Sequence, residues 1–139
     1  PLSEDDAKSF DGLVSRMKEI LGDKVKDVTV STRLADSAVC LSSEDGMTSA
    51  MDKFMRVMQK DDKIPVKTLE VNKDHPLLRS LLRIYKADAG DKTLTTMVQA
   101  LFDEALLMDG YMKDPQEVAA RSAGLLEQAA AWYAEVKKL

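Results

Sequence analysis

The part of the chain that most limits its fold is residues 91–139, which carry the pattern of two long helices joined by a tight turn. Asp91 or Thr93 can cap the first of these helices. We expect that helix to reach about Met108, because Gly110 follows and glycine readily takes the left-handed conformation that ends many helices. A chain with such a hairpin must cover both helices, and this requirement decides how the rest is arranged.

The second helix begins at a start signal with three parts, Asp114-Pro115-Gln116-Glu117. Asp114 supplies an N-cap side chain, Pro115 suits the first helical position, and Glu117 places a negative charge in the first turn. Both predicted helices place small and apolar residues at alternating spacings of four and three, which is the seam of a helical bundle. The seam positions are Leu94, Val98, Leu101, Ala105 and Met108 in the first helix, and Val118, Ser122, Leu125, Ala129, Trp132 and Val136 in the second.

The first helix is apolar over most of its circumference, so one neighbouring helix cannot cover it. Beside its seam positions lie Met97, Phe102, Leu106 and Leu107. We therefore expect one face to pack on the rest of the chain and another on a second copy, with four helices at a two-fold contact. The residues predicted to form this dimer interface are Val98, Leu101, Ala105, Val118, Ser122, Leu125 and Ala129.

Length and composition favour a single soluble globular domain. The chain has 139 residues, of which 45% are hydrophobic and 32% are charged. Its net charge is −4 and charges of both signs are interspersed, so nucleic acid is not an expected partner. No apolar run approaches the roughly 20 residues that span a bilayer, and no signal peptide is recognisable. A single cysteine excludes an internal disulfide and suits a reducing, cytoplasmic location.

The remaining residues predict an α+β fold in which a small mixed three-stranded sheet is covered by helices. Residues 1–139 form one expected domain, with an α/β body at 1–90 and the helical hairpin at 91–139. Because the chain starts at Pro1 and not at methionine, we interpret it as a fragment of a longer protein, with ordinary N-terminal processing as the alternative. The predicted helices of the body are Ser3–Leu21, Gly46–Gln59 and Leu77–Lys86, and the predicted strands are Val25–Thr32, Ser37–Ser42 and Val66–Val71.

No residue set for catalysis or for a cofactor can be assembled from the sequence. The one histidine and the one cysteine lie in unrelated segments, which excludes a Ser-His-Asp triad and the common metal sites. No glycine-rich nucleotide loop is present. We expect His75 to be a partly exposed cap residue, Cys40 to be a buried and inert thiol, and Arg33 to form an ion pair at the sheet edge. The chain is therefore not expected to be an enzyme or to hold a metal ion or cofactor.

The predicted helix at 46–59 is unusually rich in methionine, since four of the chain's 8 methionines lie in it. One broad apolar stripe at helical spacing is formed by Met47, Met51, Phe54, Met55 and Met58. The pattern alone favours a stripe that packs into the core. Methionine is also common on adaptable binding surfaces, because its side chain is flexible and polarizable.

Five runs of residues, taken in order, resemble the C-terminal domain of the heat-shock protein 90 chaperone family. They are 17–25 (MKEILGDKV), 31–37 (STRLADS), 69–76 (LEVNKDHP), Ala105-Leu106-Leu107 followed by Gly110-Tyr111, and Asp114-Pro115-Gln116. The resemblance covers the chain from about Met17 onward. Since the sequence lacks the acidic Met-Glu-Glu-Val-Asp tail of eukaryotic cytosolic members, it looks bacterial.

In that family this domain holds two protomers together, and the last two helices of each protomer form a four-helix bundle. The resemblance thus implies a homodimer, in agreement with the seam. It also implies that a domain binding ATP and Mg lies N-terminal to this chain in the full-length protein. Unfolded or partly folded client proteins would contact the helix at 46–59, and the implied client-binding residues are Met47, Met51, Phe54 and Met55.

A function of a different class stays open on the residues alone, namely a monomeric, helix-rich adaptor whose hairpin groove binds a helix of another protein. The two hypotheses differ in what covers the hairpin of the isolated chain. A chaperone dimerisation domain covers it with a second copy, whereas an adaptor leaves it exposed until its partner binds.

Overall fold

The structure of the protein is a computed structural model that describes residues 1–43, 54–55, 57–58 and 64–139. The α+β class is confirmed, and the predicted element order is found throughout these residues. The predicted helix at 46–59 lies outside them, except for 54–55 and 57–58, which have helical backbone. The described elements are α1 (Glu4–Leu21), a 3₁₀ turn (Gly22–Lys24), β1 (Val25–Val30), β2 (Val39–Ser42), β3 (Lys67–Val71), α2 (Pro76–Ala87), α3 (Lys92–Met108) and α4 (Pro115–Val136).

The three strands form one mixed sheet in the order β1-β3-β2. β3 lies in the middle, parallel to β1 and antiparallel to β2, so the predicted mixed sheet is confirmed. A shift in register between Val25 and Asp27 places Val25 and Val28 on one buried face, three residues apart. Val30 is partly buried and packs against the same core as Val28. The predicted strand ends at 31–32, 37–38 and 66 lie outside the strands.

One hydrophobic core joins the sheet to α1, α2 and α3. α1 and α3 pack on the sheet, and α2 packs on these two helices. The apolar positions of α1 repeat every three or four residues, so Phe10, Leu13, Met17 and Leu21 fall on one face and are at most 2% exposed. The other elements contribute Val25, Val28, Val39, Leu41, Leu69, Val71, Leu78, Leu81, Leu82, Leu94, Val98, Leu101, Phe102, Ala105 and Leu106 to this core.

The helix ends follow local signals in the sequence. The side chains of Ser3, Asp91 and Asp114 accept hydrogen bonds from backbone N–H groups in the first turns of α1, α3 and α4. At α2 the cap is His75, whose Nδ1 accepts the N–H two residues further along at 3.0 Å, so its predicted cap role is confirmed. Gly110, with φ of 84°, is the predicted left-handed residue after α3.

α1 and α2 approach each other closely at Gly12. A Cβ atom built on Gly12 would lie 2.4 Å from the hydroxyl oxygen of Tyr85 and 3.0 Å from its Cζ. The missing side chain lets the ring of Tyr85 lie against the backbone of α1, where the ring packs on the edge of the core.

Candidate interaction surfaces

α4 is the least covered of the four numbered helices. It has 22 residues, and none of them is buried. Val118, Arg121, Gly124 and Leu125 are half-buried in its first half, where α4 packs on α3. Beyond Leu125, every residue of α4 except Ala134 is exposed. The outer half of this helix is therefore open to solvent over most of its surface.

Arg121 joins the start of α4 to α3. Its guanidinium donates to Asp103 of α3 and, at 2.8 Å, to Glu117 one turn earlier in α4. Burial alone would lower the pKa of Arg121, but the hydrogen bonds and charges of the two carboxylates outweigh burial and raise the pKa. Because the Arg121 side chain is only 10% exposed, its hydrogen bonds are shielded from water and hold the start of α4 against α3.

The structure divides the seven residues of the predicted dimer interface into two groups. Val98, Leu101 and Ala105 of α3 are at most 3% exposed and lie in the chain's own core. These three side chains are therefore already covered within one chain. The α4 group is half-buried or exposed and consists of Val118, Ser122, Leu125 and Ala129.

Large apolar side chains are exposed along α4 beyond the predicted interface. Trp132 is 64% exposed, and Leu126, Tyr133 and Val136 are 54% to 70% exposed. Trp132 and Val136 belong to the seam, but the predicted interface stops before them. The sequence signal for this surface is a tryptophan and a tyrosine in an alanine-rich stretch, because clustered exposed apolar groups mark sites of interaction.

Two of the four predicted client-binding residues, Phe54 and Met55, fall within the described residues, and Met47 and Met51 lie outside them. Phe54 is 65% exposed and Met55 is 45% exposed. Their helical neighbours Val57 and Met58 are also exposed, by 76% and 68%. This end of the stripe does not enter the core, so the core-facing alternative is wrong for these side chains. They form a second exposed apolar surface.

A buried ion pair connects the turn between α3 and α4 to the central strand of the sheet. Nζ of Lys67, the first residue of β3, lies 3.1 Å from Oδ2 of Asp109, with the two side chains 4% and 8% exposed. The ammonium group also lies 6.0 Å from the centre of the Tyr111 ring. No pattern in the sequence links two residues 42 positions apart, so this pair was not predicted.

The predicted ion pair of Arg33 is made with Glu70, which lies on the central strand and not at the sheet edge. The guanidinium donates to both carboxylate oxygens, at 3.0 and 3.3 Å, and lies 3.5 Å from Sγ of Cys40. The hydrogen bond from Arg33 lowers the pKa of Glu70. Cys40 is half-buried and not fully buried as predicted. The pKa of the Cys40 thiol is raised, mainly by burial and next by the charge of Glu70. The thiol is therefore a weak nucleophile at neutral pH.

Metal-binding and membrane-spanning features are not found where the structure describes the chain. Within 1–43, 54–55, 57–58 and 64–139, no three His, Cys, Asp or Glu side chains are grouped so that they could hold a metal ion. In the same residues, no helix has both the length and the apolar character needed to cross a membrane. The described residues expose apolar side chains at α4 and at 54–55 and 57–58, and clustered exposed apolar groups mark sites of interaction.

Comparison with known proteins places the chain in one family. A family model described as Hsp90 protein matches residues 2–138. The chain is 53% identical over 139 residues to "Chaperone protein HtpG" of Oleidesulfovibrio alaskensis, which covers 99% of this chain. It is 46% identical over 140 residues to the protein of the same name from Nitratidesulfovibrio vulgaris, which covers 100% of it. The chain belongs to the Hsp90 family.

The resemblance read from the sequence is thereby confirmed at the level of the family. The relatives also include the human "Putative heat shock protein HSP 90-beta-3", 37% identical over 121 residues and 81% of this chain. The chain spans 22% of the length of the two bacterial chaperones and 20% of the human protein. The two bacterial relatives named above match 99% and 100% of the chain, so it is of the HtpG type.

Proposed function

We propose that this chain is a homodimerisation domain of an Hsp90-type chaperone, and that the helix predicted at 46–59 contributes apolar contacts to client proteins. The observation that carries the proposal is α4, a 22-residue helix with no buried residue that exposes Leu126, Trp132 and Tyr133. Most of the stability of a protein helix comes from packing an apolar face. A second copy provides that packing for both α4 helices at once, through an isologous two-fold contact.

Gly124 supports a close contact at the middle of α4. Glycine in the interior of a helix costs about 1 kcal/mol relative to alanine. Apart from its two chain neighbours and the nearby backbone of its own helix, no atom of the described chain lies within 4 Å of the Cβ that alanine would have there, so packing within the chain does not require glycine. A second helix that approaches to backbone distance does require it, and the neighbouring Ser122 and Ala123 are small as well.

A lasting contact at α4 would act as a tether for the rest of each protomer. Joining two modules through one contact turns their next encounter into an intramolecular event, at an effective concentration on the order of mM or less. We assign ATP and Mg binding to the part of the protein outside residues 1–139. The tether would bring those parts together and leave a cleft in which the apolar side chains at 54–55 and 57–58 hold a client from two sides.

Light scattering coupled to size exclusion tests the dimer. We expect a mass near twice 15.4 kDa over a range of concentrations. Leu125→Asp should give a monomer, because it would leave an unpaired charge in an apolar contact, and a cooperative thermal unfolding curve should show that the core keeps its fold. The matched control is Leu77→Asp, at a leucine of α2 that is 37% exposed, which should stay dimeric.

A wild-type mass near 15.4 kDa at every concentration would contradict the dimer. The exposed face of α4 would then await a helix of another protein, and the monomeric adaptor would be the better function. A dimer that survives Leu125→Asp at micromolar concentration would place the contact elsewhere on the chain.

The client contact is tested by the double variant Phe54→Ser/Met55→Ser. These side chains are 65% and 45% exposed, so their replacement should leave the thermal unfolding curve and the dimer unchanged. Capture of an unfolded model protein, measured as suppression of its aggregation, should weaken because apolar contact area is lost. Leu77→Ser is the control, and unaltered capture by the double variant would refute the assignment. A double variant that unfolds would show that these side chains belong to the core.

A further inference from the structure

We propose that, in the dimer, Trp132 of one copy binds in a cavity between α3 and α4 of the other copy. The last turns of each α4 then pack on the other copy. This inference rests on the proposed dimer and deepens it. It connects a cavity at one end of α4 with an exposed tryptophan at the other end.

The cavity has a volume of about 230 Å³ and lies where α3 ends and α4 begins. Its apolar lining includes Val66, Phe102, Leu106, Met112 and Val118. Val66 and Met112 are 55% and 45% exposed. Large apolar side chains that remain exposed around a concave surface mark a place where another apolar group binds.

Carboxylates lie beside this apolar lining. Asp103 and Glu117 both line the cavity and both accept hydrogen bonds from Arg121. Since a carboxylate has about four acceptor positions, Asp103 and Glu117 can each accept hydrogen bonds in addition to the one from Arg121. An indole combines a large apolar ring with a single N–H donor, which suits a wall of this chemistry.

Trp132 lies on the same face of α4 as Val118 and Leu125, because the three residues are spaced by seven, which is close to two helical turns. Val118 and Leu125 are half-buried where α4 packs on α3. Trp132 is 64% exposed. The side of α4 that packs on α3 in the first half of the helix thus carries the exposed ring of Trp132 near the end of the helix.

A two-fold contact places this ring at the cavity. If two α4 helices run antiparallel and cross at Leu125, a residue seven positions after the crossing meets one seven positions before it. Trp132 of one copy then meets Val118 of the other, which lines the cavity. At 1.5 Å per residue, both residues lie about 10 Å from the crossing, and the symmetry makes the contact twice.

Charge and side-chain size support this geometry. A parallel pair would bring the acidic first turns, with Asp114 and Glu117, together with each other. An antiparallel pair instead keeps the two acidic turns apart and aligns the helix dipoles favourably. The small residues Ser122 and Gly124 flank Leu125 and permit close approach at the crossing.

Trp132 is the single tryptophan of the chain, so its fluorescence reports this contact alone. The experiment compares emission and acrylamide quenching of the whole wild-type chain with those of Leu125→Asp, and records the mass of each sample by light scattering. We expect a blue-shifted, shielded Trp132 in the dimer and an accessible one in the monomer.

Met112→Glu then tests the cavity itself, because it places a charge on its lining without altering α4 or the core. Trp132 should become accessible to quencher, and the dimer dissociation constant should rise at least about tenfold, as for loss of an aromatic anchor. The matched control is Leu77→Glu, at a leucine with 37% exposure, which should change neither quantity.

The outcomes separate the two proposals. A wild-type monomer at every concentration would overturn the dimer and, with it, this inference. A stable dimer in which Trp132 is open to quencher would overturn the inference alone. Shielding of Trp132 in the monomer, or shielding that Met112→Glu leaves unchanged, would also overturn it, because the ring would then be covered elsewhere.

Discussion

Replacing Gly12 by alanine should destabilise the protein, although alanine is the better helix former. The new Cβ would lie 2.4 Å from the hydroxyl oxygen of Tyr85 and 3.0 Å from its Cζ, where an ordinary contact needs about 3.5–4.0 Å. Tyr85 packs on the hydrophobic core. The ring must therefore shift by about 1 Å to restore normal contact, at the expense of its own packing.

Two contributions of opposite sign decide the change in the free energy of unfolding. Alanine in place of glycine in a helix interior gains about 1 kcal/mol. Overpacking of a core costs typically about 1–3 kcal/mol. Because the hydroxyl stands at the far end of a half-buried side chain, part of the clash relaxes, and we expect a net loss of about 1 kcal/mol.

Urea unfolding followed by circular dichroism measures this change, at a fixed protomer concentration because association adds to apparent stability. In a Tyr85→Ala background the new Cβ meets the space left by the ring, so Gly12→Ala should stabilise the chain by about 1 kcal/mol. The sign of the effect should reverse between the two backgrounds, with a coupling of about 2 kcal/mol. Equal stabilisation in both backgrounds would refute the argument from close packing.

Three further results are expected. Lys67→Met should lower the free energy of unfolding by about 3–5 kcal/mol, because Asp109 stays behind as a buried charge. The double variant Lys67→Met/Asp109→Leu should recover most of that loss in the same urea assay. An equal loss in both variants would exclude the ion pair as the cause. Because Arg33 lowers the pKa of Glu70 in the folded state, the stability that this pair adds is present above the unfolded pKa of about 4.3 and is lost as pH falls through the lower folded pKa. Glu70→Gln should therefore lose less stability than the wild type on acidification over this range, and parallel curves would contradict this. Alkylation of Cys40 at neutral pH should be slow and should be faster in Glu70→Gln, because the charge of Glu70 helps to raise the pKa of the thiol. Mass spectrometry over time gives the alkylation rate. An unchanged or slower rate in Glu70→Gln would count against the charge of Glu70 as a cause of the raised pKa.

The helix ends could be predicted from the sequence because both partners of each interaction lie within a few residues of each other. Ser3, Asp91 and Asp114 accept N–H groups three residues further along the chain. The inner face of α1 could be predicted for a related reason, since its apolar residues repeat at the period of one helix with a single buried side.

The partners of α3 could not be read from the sequence in the same way. An apolar residue on a helix that is apolar on most sides must be covered, but the pattern does not say by what. Val98 and Leu101 therefore fitted a contact with a second copy as well as the chain's own core, where the structure places them. Two ion pairs, Arg121–Asp103 and Lys67–Asp109, form between elements that are distant in the sequence. Which elements come into contact depends on the packing of the whole core.

The exposure of Phe54 and Met55 also depends on the surroundings and not on the local pattern. An apolar stripe on a helix looks the same in the sequence whether it faces a core or a binding partner. What the composition adds is the concentration of methionine, which favours an adaptable surface over a single fixed packing.

The middle position of β3 has a consequence for the order in which the fold can form. β1 and β2 come first along the chain, and in the described sheet each pairs with β3 and not with the other. During synthesis both strands lack their partner until Lys67–Val71 has left the ribosome. Joining β1 to β3 closes a loop of about forty residues, and such nonlocal pairing is slow beside the formation of α1. A nascent chain of this chaperone family thus passes through a stage in which the apolar face of α1 has no sheet to cover it.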